Sequence, residues 1–456
     1  MDFSAANQSL WSAVLQLGMI AGIMLAANVL RRKLPIVKKS LMPTAVLAGF
    51  LSLGLRLTGI LPIDTNLMEM ITYHSIALGF IALSLRAPEK RSTQKGDLAG
   101  IKSGAVIVGS YVIQGITGIV ISAVLAYTIM PGMFKAAGIL LPMGYGQGPG
   151  QANNVGTMYE KLGFAGGQSF GLSIAAMGFI CACVVGVVYI NVLHKKNIFG
   201  AAAHEVISGS VTVDVFQQDN EIPVSESVDR LSVQVAMTAI IYLFTYLVSR
   251  EVTSLLAKSA PGLAKTLSPI IWGFNFIIGS VLAMLFRSCL SFLTKRKIMT
   301  RQYQNNYLLS RISGSLFDVM VIAGIATIDI KDLSGLWLPF ALMSIAGGVV
   351  TFYYLRWICK KIYPDYFYEG FLSMYGMMTG TISSGVLLLR EIDPQFKTPA
   401  ANNLITGSSS AIVFGAPMLL LIGMAPDSDV MLFLTFGLLL VYFALLVLFM
   451  LKVKKK

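Results

Sequence analysis

Charge is scarce in this chain. Only 12% of its 456 residues are Asp, Glu, Lys or Arg, while 55% are hydrophobic. A soluble domain carries about 25% charged residues, so the composition reads as a polytopic membrane protein. Histidine is scarce too. His74, His194 and His204 form no metal-ligand spacing, and His204-Glu205 is not followed by the second histidine of a zinc helix. The four cysteines make no cluster either. Cys181 and Cys183 lie two apart, so on a helix they point about 200° apart, which suits small packing residues better than a shared metal. There is no Walker A motif, so ATP-driven pumping by this chain is not expected. A membrane-embedded enzyme would need a nucleophile–base pair or a metal cluster at depth, and none is expected, so the chain is not read as an enzyme.

The charge that is present is basic, at net +13. No separate basic domain exists to bind phosphates, which argues against nucleic acid. The basic residues instead sit in short loops between apolar runs, where they act as topology signals. The first 30 residues have no basic n-region and no small-residue cleavage site, so they read as a first membrane helix rather than a signal peptide.

Runs of about 20 apolar residues, the length a bilayer core requires, predict eleven spans. They fall at 10–30, 41–61, 71–86, 103–130, 168–193, 231–255, 269–291, 312–330, 336–358, 401–424 and 430–451. Every odd-numbered span exits into basic residues, from Arg31, Arg32 and Lys33 after the first to Lys454, Lys455 and Lys456 after the last. The positive-inside rule then places the N-terminus outside a cell membrane and the C-terminus in the cytoplasm.

Two broken segments, 136–161 and 367–391, interrupt this pattern. One reads LPMGYGQGPGQANNVG from Leu141, the other LSMYGMMTGTISSGV from Leu372, and Gly146 and Gly150 recur as Gly376 and Gly380 at an offset of 230. Irregular backbone survives at membrane depth only where protein or a water-filled cavity satisfies it. Paired breaks in corresponding halves point to a transporter's substrate and ion site. An odd number of spans in the first half makes the halves enter from opposite sides. Pro43 and Pro269, 226 apart, each open the second span of their half. The expected fold is an all-α membrane protein of two inverted five-helix repeats, each with a re-entrant hairpin. They occupy 1–193 and 231–424. A cytoplasmic linker, 194–230, joins them, and 425–456 adds one more span and a basic tail.

In this order and at these spacings the residues resemble the glutamate:sodium symporter family, the GltS type. The resemblance runs to about residue 425. It is carried by Pro43 with Gly49, Ile76–Gly79 leading to Ser84-Leu85-Arg86, and the hairpin 144–156 followed by Leu162-Gly163-Phe164. Ser315-Leu316-Phe317 through Gly324 and the hairpin 373–386 complete it. The resemblance implies an elevator-type carrier. A transport domain holding both hairpins moves against a scaffold that forms a homodimer, and the carrier imports an acidic amino acid, chiefly glutamate, with sodium as coupling ion.

Such a carrier needs oxygen ligands for the cation and donors for the anion, and hairpin tips supply both. The substrate candidates in the first hairpin are Gly146, Gln147, Gly148, Gly150, Gln151, Asn153 and Asn154. In the second they are Thr379, Gly380, Thr381, Ser383 and Ser384. The plain alternative is that these small residues only permit tight helix packing. The candidate cation ligands are Ser169, Ser173, Asn402, Asn403, Thr406 and Asp318. Asn402 and Asn403 could instead be a solvated helix start. Asp318, an intramembrane carboxylate, could bind a cation or proton, could pair structurally with Arg56 or Arg287, or could be exposed near the inner interface. No buried arginine stands ready to clamp a side-chain carboxylate, which leaves a sodium- or proton-coupled carrier or exporter of another organic anion as the alternative. A channel fits less well, because two unlike hairpins in one chain do not make a symmetric filter.

Overall fold

The structure is a computed structural model and describes residues 4, 7–35, 37, 41–87, 98–196, 230–299, 301–393 and 398–452. Most of the linker 194–230 lies outside the described residues. Apolar runs of this length satisfy their backbone in a bilayer by folding as helices, and every regular element among the described residues is helical. The first half holds α1 (Gln8–Lys33), α2 (Thr44–Leu57), α3 (Thr65–Leu85), α4 (Leu98–Thr128), α5 (Leu140–Tyr145), α6 (Pro149–Glu160) and α7 (Gly167–Lys195). The second holds α8 (Arg230–Ser259), α9 (Pro261–Gly273), α10 (Asn275–Lys295), α11 (Asn306–Ala326), α12 (Trp337–Ile362), α13 (Phe367–Thr379), α14 (Ile382–Arg390), α15 (Ala400–Met424) and α16 (Asp429–Lys452).

Among the described residues, nine helices are long and apolar enough to cross a membrane, or ten if the bent pair within α15 counts as one span. The sequence predicts eleven. With α15 counted, the shortfall is the second span, which folds as the 14-residue α2. At 1.5 Å per residue α2 is about 21 Å long, short of the roughly 30 Å hydrocarbon core. Pro43 caps its start, and Gly59, at φ 72, turns the chain away at its end. The predicted seventh span is divided. Phe274 leaves helical geometry (φ −113, ψ 29) between α9 and α10. Pro261 opens α9 and Pro269 falls inside it, so the expected pairing of Pro43 with Pro269 as helix openers does not hold.

The chain forms two compact units. One comprises Met1–Met70, Gly96–Ile207 and Val321–Lys456, the other Ile71–Lys95 and Ser208–Met320. Both units draw on both halves of the sequence, and both hairpins belong to the first.

In the first unit α4 and α12 run antiparallel. Ser103 Oγ lies 2.7 Å from the Tyr363 hydroxyl, and Gln114 Nε2 donates to Thr351 Oγ1 at 2.8 Å. The first hairpin runs back along α4 from its C-terminal end. Gly138 and Gly118 meet so closely that a Cβ on Gly118 would stand 2.0 Å from the Gly138 carbonyl oxygen. Gly146 arrives against Tyr111 and Gln114, halfway along α4. The return arm α6 ends level with the start, where Tyr159 packs on Phe134 with ring centroids 5.3 Å apart. The second hairpin treats α12 the same way. Gly370 sits against Tyr363, Phe371 and Tyr375 pack on Phe352, and on the return Gly385 lies against Ser373 and Met377. Because α4 and α12 are antiparallel, the two hairpin bases lie at opposite ends of the pair.

Polar side chains tie the connecting loops down. Gln16 on α1 donates Nε2 to the Pro62 carbonyl at 2.7 Å and accepts the Asp64 N–H on Oε1 at 3.2 Å. Asp64 then caps α3 by accepting the N–H groups of Asn66 and Leu67. At the α11 end, the Arg56 guanidinium donates to the Ile328 carbonyl.

The second unit has its own core of Ile81, Ala82, Leu85, Ile241, Ala283 and Leu309. Gln234 on α8 donates to the Tyr303 carbonyl at 2.8 Å and accepts the Asn305 N–H at 3.2 Å. Asn305 caps α11 through the Leu308 N–H at 2.8 Å. Arg287 donates to the Ser84 and Arg86 carbonyls at the end of α3.

Candidate functional site: two hairpin tips at the crossing of α4 and α12

The first break follows from its sequence. Pro149 has no N–H with which to continue α5, so it starts a new helix at its favoured first position. Gly148 links the two at φ 86, ψ −177, a conformation essentially reserved for glycine. The second break is Gly380-Thr381. Thr381 is extended (φ −143, ψ 173) before α14 begins. The tips meet: a Cβ on Gly148 would stand 3.7 Å from the Gly380 carbonyl oxygen and 3.7 Å from Thr381 Cγ2.

Two residues that the sequence reading left out hold this junction. Gln114 Nε2 donates to the Met378 carbonyl at 2.9 Å as well as to Thr351, binding the end of α13 to the crossing. The Tyr145 hydroxyl donates to the Ser344 carbonyl at 2.6 Å and lies 3.3 Å from Cys181 Sγ. An amide in the middle of an apolar helix is costly, and Gln114 carried that signal in the sequence. Gly178 on α7 also comes to the tips, where a Cβ would meet the Thr379 carbonyl oxygen at 2.2 Å.

The tips are surrounded by buried polar atoms with no protein partner. Both amide atoms of Gln151 are in this state at 1% exposure, and so are Gln114 Oε1, Ser384 Oγ and Ser173 Oγ. A buried polar group left unmatched costs about 1–3 kcal/mol, and these atoms are free to pair with a bound molecule. Gln114 Oε1 lies 2.9 Å from a Cβ placed on Gly146, and Ser384 Oγ 2.8 Å from one placed on Gly380. These two groups therefore stand at the tips themselves.

The other candidates are placed as follows. Gln147 is half-buried at the first tip, and Gly150 and Asn154 are buried on α6. Asn153 accepts a hydrogen bond from Gln168 Nε2 at 2.8 Å, which ties α6 to α7. The Thr379 hydroxyl donates back to the Tyr375 carbonyl at 2.8 Å. Ser383 lies on α14, and its side chain is outside the described residues.

The cation candidates are not brought together. Ser169 donates to Asp332 at 2.8 Å and accepts the Asp329 N–H, at the base of the first hairpin. Asn403 donates to the Tyr366 hydroxyl at 2.7 Å, at the base of the second. Asn402 is exposed, and Thr406 packs on Gly100. From Gly100 or Ser103 to Gln114 is about 16–21 Å along α4. Of the serine and asparagine group only Ser173 lies a further turn toward the tips. Asp318 is half-buried on α11 and belongs to the second unit. Arg56 and Arg287, the alternative structural partners for it, direct their donors at main-chain carbonyls.

Among the described residues no group of three or more His, Cys, Asp or Glu side chains is placed to hold a metal ion. Gly167-Gln168-Ser169-Phe170-Gly171 has the spacing of a hydrolase nucleophile motif. It lies in the first turns of α7, not on a strand-to-helix elbow, and Ser169 is committed to Asp332.

A cavity of about 770 Å³ opens at the base of the first hairpin and includes Phe134, Lys135, Phe164, Asp332 and Asp429 in its lining. No tip residue lines it. Lys135 Nζ lies 2.6 Å from both carboxylate oxygens of Asp429, and this hydrogen bonding raises the lysine's pKa above its ordinary value. No family model matches the chain, and no curated protein is similar enough to it to count as a relative.

Proposed function

We propose that the protein is a secondary active transporter that carries a small anionic amino acid such as glutamate across a cell membrane, coupled to sodium, by an elevator mechanism. The observation that carries this reading is the meeting of two broken helices at Gly148 and Gly380, amid buried amide and hydroxyl groups that have no protein partner. A substrate carboxylate fits the N-terminus of α6, where free N–H groups and the positive dipole end converge. Sodium fits main-chain and amide oxygens at the same junction. It is a coupling ion there, not a tightly held cofactor.

An inverted repeat is part of the proposal, with re-entrant hairpins entering from opposite faces. It is supported by the antiparallel α4 and α12, and by side chains that perform the same task in each half. Arg56 and Arg287, 231 apart, each cap the end of a helix, α11 and α3 respectively. Placement of both hairpins in one compact unit suits a transport domain moving against a scaffold, and the scaffold suits a homodimer. The orientation with the N-terminus outside rests on the basic loops alone.

A second reading has one observation in its favour. Among the described residues no lysine or arginine is buried, and the tips offer neutral donors. Such a site also suits another organic anion, carried with sodium or protons. The test is uptake of radiolabelled glutamate, aspartate and simple carboxylates into proteoliposomes, with and without a sodium gradient. Sodium-dependent glutamate uptake is the expected result. Uptake indifferent to sodium removes the symport reading, and uptake of carboxylates but not amino acids selects the second.

A further inference from the structure

The cavity at the base of the first hairpin lies some way from the tips, and its charges are few. Of its lining residues only Lys135, Asp332 and Asp429 are titratable. Asp332 is engaged by the Ser169 hydroxyl at 2.8 Å. The single cation, Lys135, is gripped by both oxygens of Asp429 on one side, and its Nζ lies 4.7 Å from the Tyr127 ring centroid. Both partners stay in contact with solvent, with 33% and 54% of their side chains exposed. Exposed ion pairs of this kind contribute little to stability. Breaking the pair therefore costs little, which leaves Lys135 open to competition from another carboxylate.

The connections of the pair are also informative. Lys135 opens the short turn Lys135–Ile139 that feeds directly into α5, and so into the first tip. Asp429 is the first residue of α16, the helix without a counterpart in the other half. The cavity is within the usual range for small-molecule pockets, about 300–1,000 Å³. Stacked Phe134 and Phe164, with centroids 5.0 Å apart, give it an apolar wall.

We infer that this cavity is a vestibule for small carboxylates, in which an incoming anion displaces Asp429 from Lys135 before it reaches the hairpin tips. The inference rests on the transporter reading for its purpose, but not for its chemistry. Asp429 acts as a built-in competitor that occupies the lysine when no anion is present. The vestibule thus favours carboxylates over neutral solutes by exchange and not by permanent burial of a charge.

The two members of the pair must then act in opposite directions. Equilibrium binding of radiolabelled glutamate and of succinate is measured on the purified full-length protein at low ionic strength. Lys135→Gln is expected to weaken apparent binding about two- to fivefold, since the attracting charge is gone. Asp429→Asn is expected to tighten it several-fold, since the competitor is gone. Both shifts should shrink in about 0.5 M salt, where the Debye length falls well below 8 Å. They should persist in a Gln151→Ala background, where the tip is altered. A purely structural strap between α16 and the hairpin base would make both variants shift the same way, with lowered unfolding midpoints. That result, no shift in either, or no binding of either anion by the wild-type protein overturns the inference. Opposite shifts without any uptake in proteoliposomes would sink the transport reading and leave the vestibule standing.

Discussion

Gln16 and Gln234 make the same two hydrogen bonds in their own surroundings. Each gives its amide N–H to a loop carbonyl, Pro62 or Tyr303, and takes the N–H two residues further on, from Asp64 or Asn305. In both places that second residue also caps the following helix. One side chain thus fixes both the turn and the start of the next helix. Loss of either amide strands a carbonyl and an N–H. Gln234→Ala is expected to cost about 1–3 kcal/mol, and Gln16→Ala less, because Gln234 is 1% exposed and Gln16 8%. Thermal unfolding in detergent measures this, and unchanged midpoints in both variants would refute the clamp.

Alanine at the two tip glycines should fail for different reasons. At Gly148 there is room, since the nearest atoms to a Cβ stand at 3.7 Å, but φ 86 with ψ −177 is closed to other residues. The backbone strain is about 1–3 kcal/mol. At Gly380 the backbone is at negative φ (−138), but a Cβ would stand 2.8 Å from Ser384 Oγ and 3.0 Å from Phe179. Gly380→Ala in combination with Ser384→Ala should therefore recover part of the stability, whereas no neighbouring change should rescue Gly148→Ala. Unfolding midpoints of the single and double variants decide it. Rescue of Gly148→Ala by Thr381→Ala would show that sterics, not backbone, set the requirement.

The breaks were legible in the sequence because Gly-x-Gly-Pro and Gly-Thr punctuate otherwise apolar runs, and helix-breaking residues act locally. The second span was misjudged because hydropathy does not count turns. The apolar stretch 41–61 is long enough to cross, but Pro43 and Gly59 shorten the helix inside it to 14 residues. The cation candidates follow from residue type along helices next to the hairpins. What decides their placement is register between helices, with Thr406 level with Gly100 and not with Gln114. That register depends on small-residue contacts such as Gly104 on Ser410 and Gly407 on Ser103, which a single sequence does not expose.

Gln114 should behave as a structural pin for the second hairpin. Gln114→Leu keeps the volume and removes donors to Thr351 and to the Met378 carbonyl, both buried. The stranded carbonyl makes the loss about 1–3 kcal/mol. The effect should concentrate where the pin acts, so hydrogen exchange should rise at the last turn of α13 more than in the first hairpin. Uniform exchange across both hairpins would contradict this role.

Gln151 should show the opposite balance between stability and activity. Both of its amide atoms are buried without a protein partner, so the ligand-free protein already bears the cost of desolvating them. Gln151→Ala relieves that cost, and the unfolding midpoint should hold or rise. Uptake should fall about tenfold, the worth of one hydrogen bond of roughly 1.4 kcal/mol to the cargo. Asn402→Ala serves as the contrast. Asn402 is exposed at the start of α15, level with the far end of α4, so its loss should leave uptake close to wild type. A structural residue does the reverse of Gln151, lowering stability while transport per folded molecule is kept. Finding that pattern for Gln151, or a large uptake defect for Asn402 with Gln151→Ala fully active, would move the binding site away from the tips and toward the base of the second hairpin.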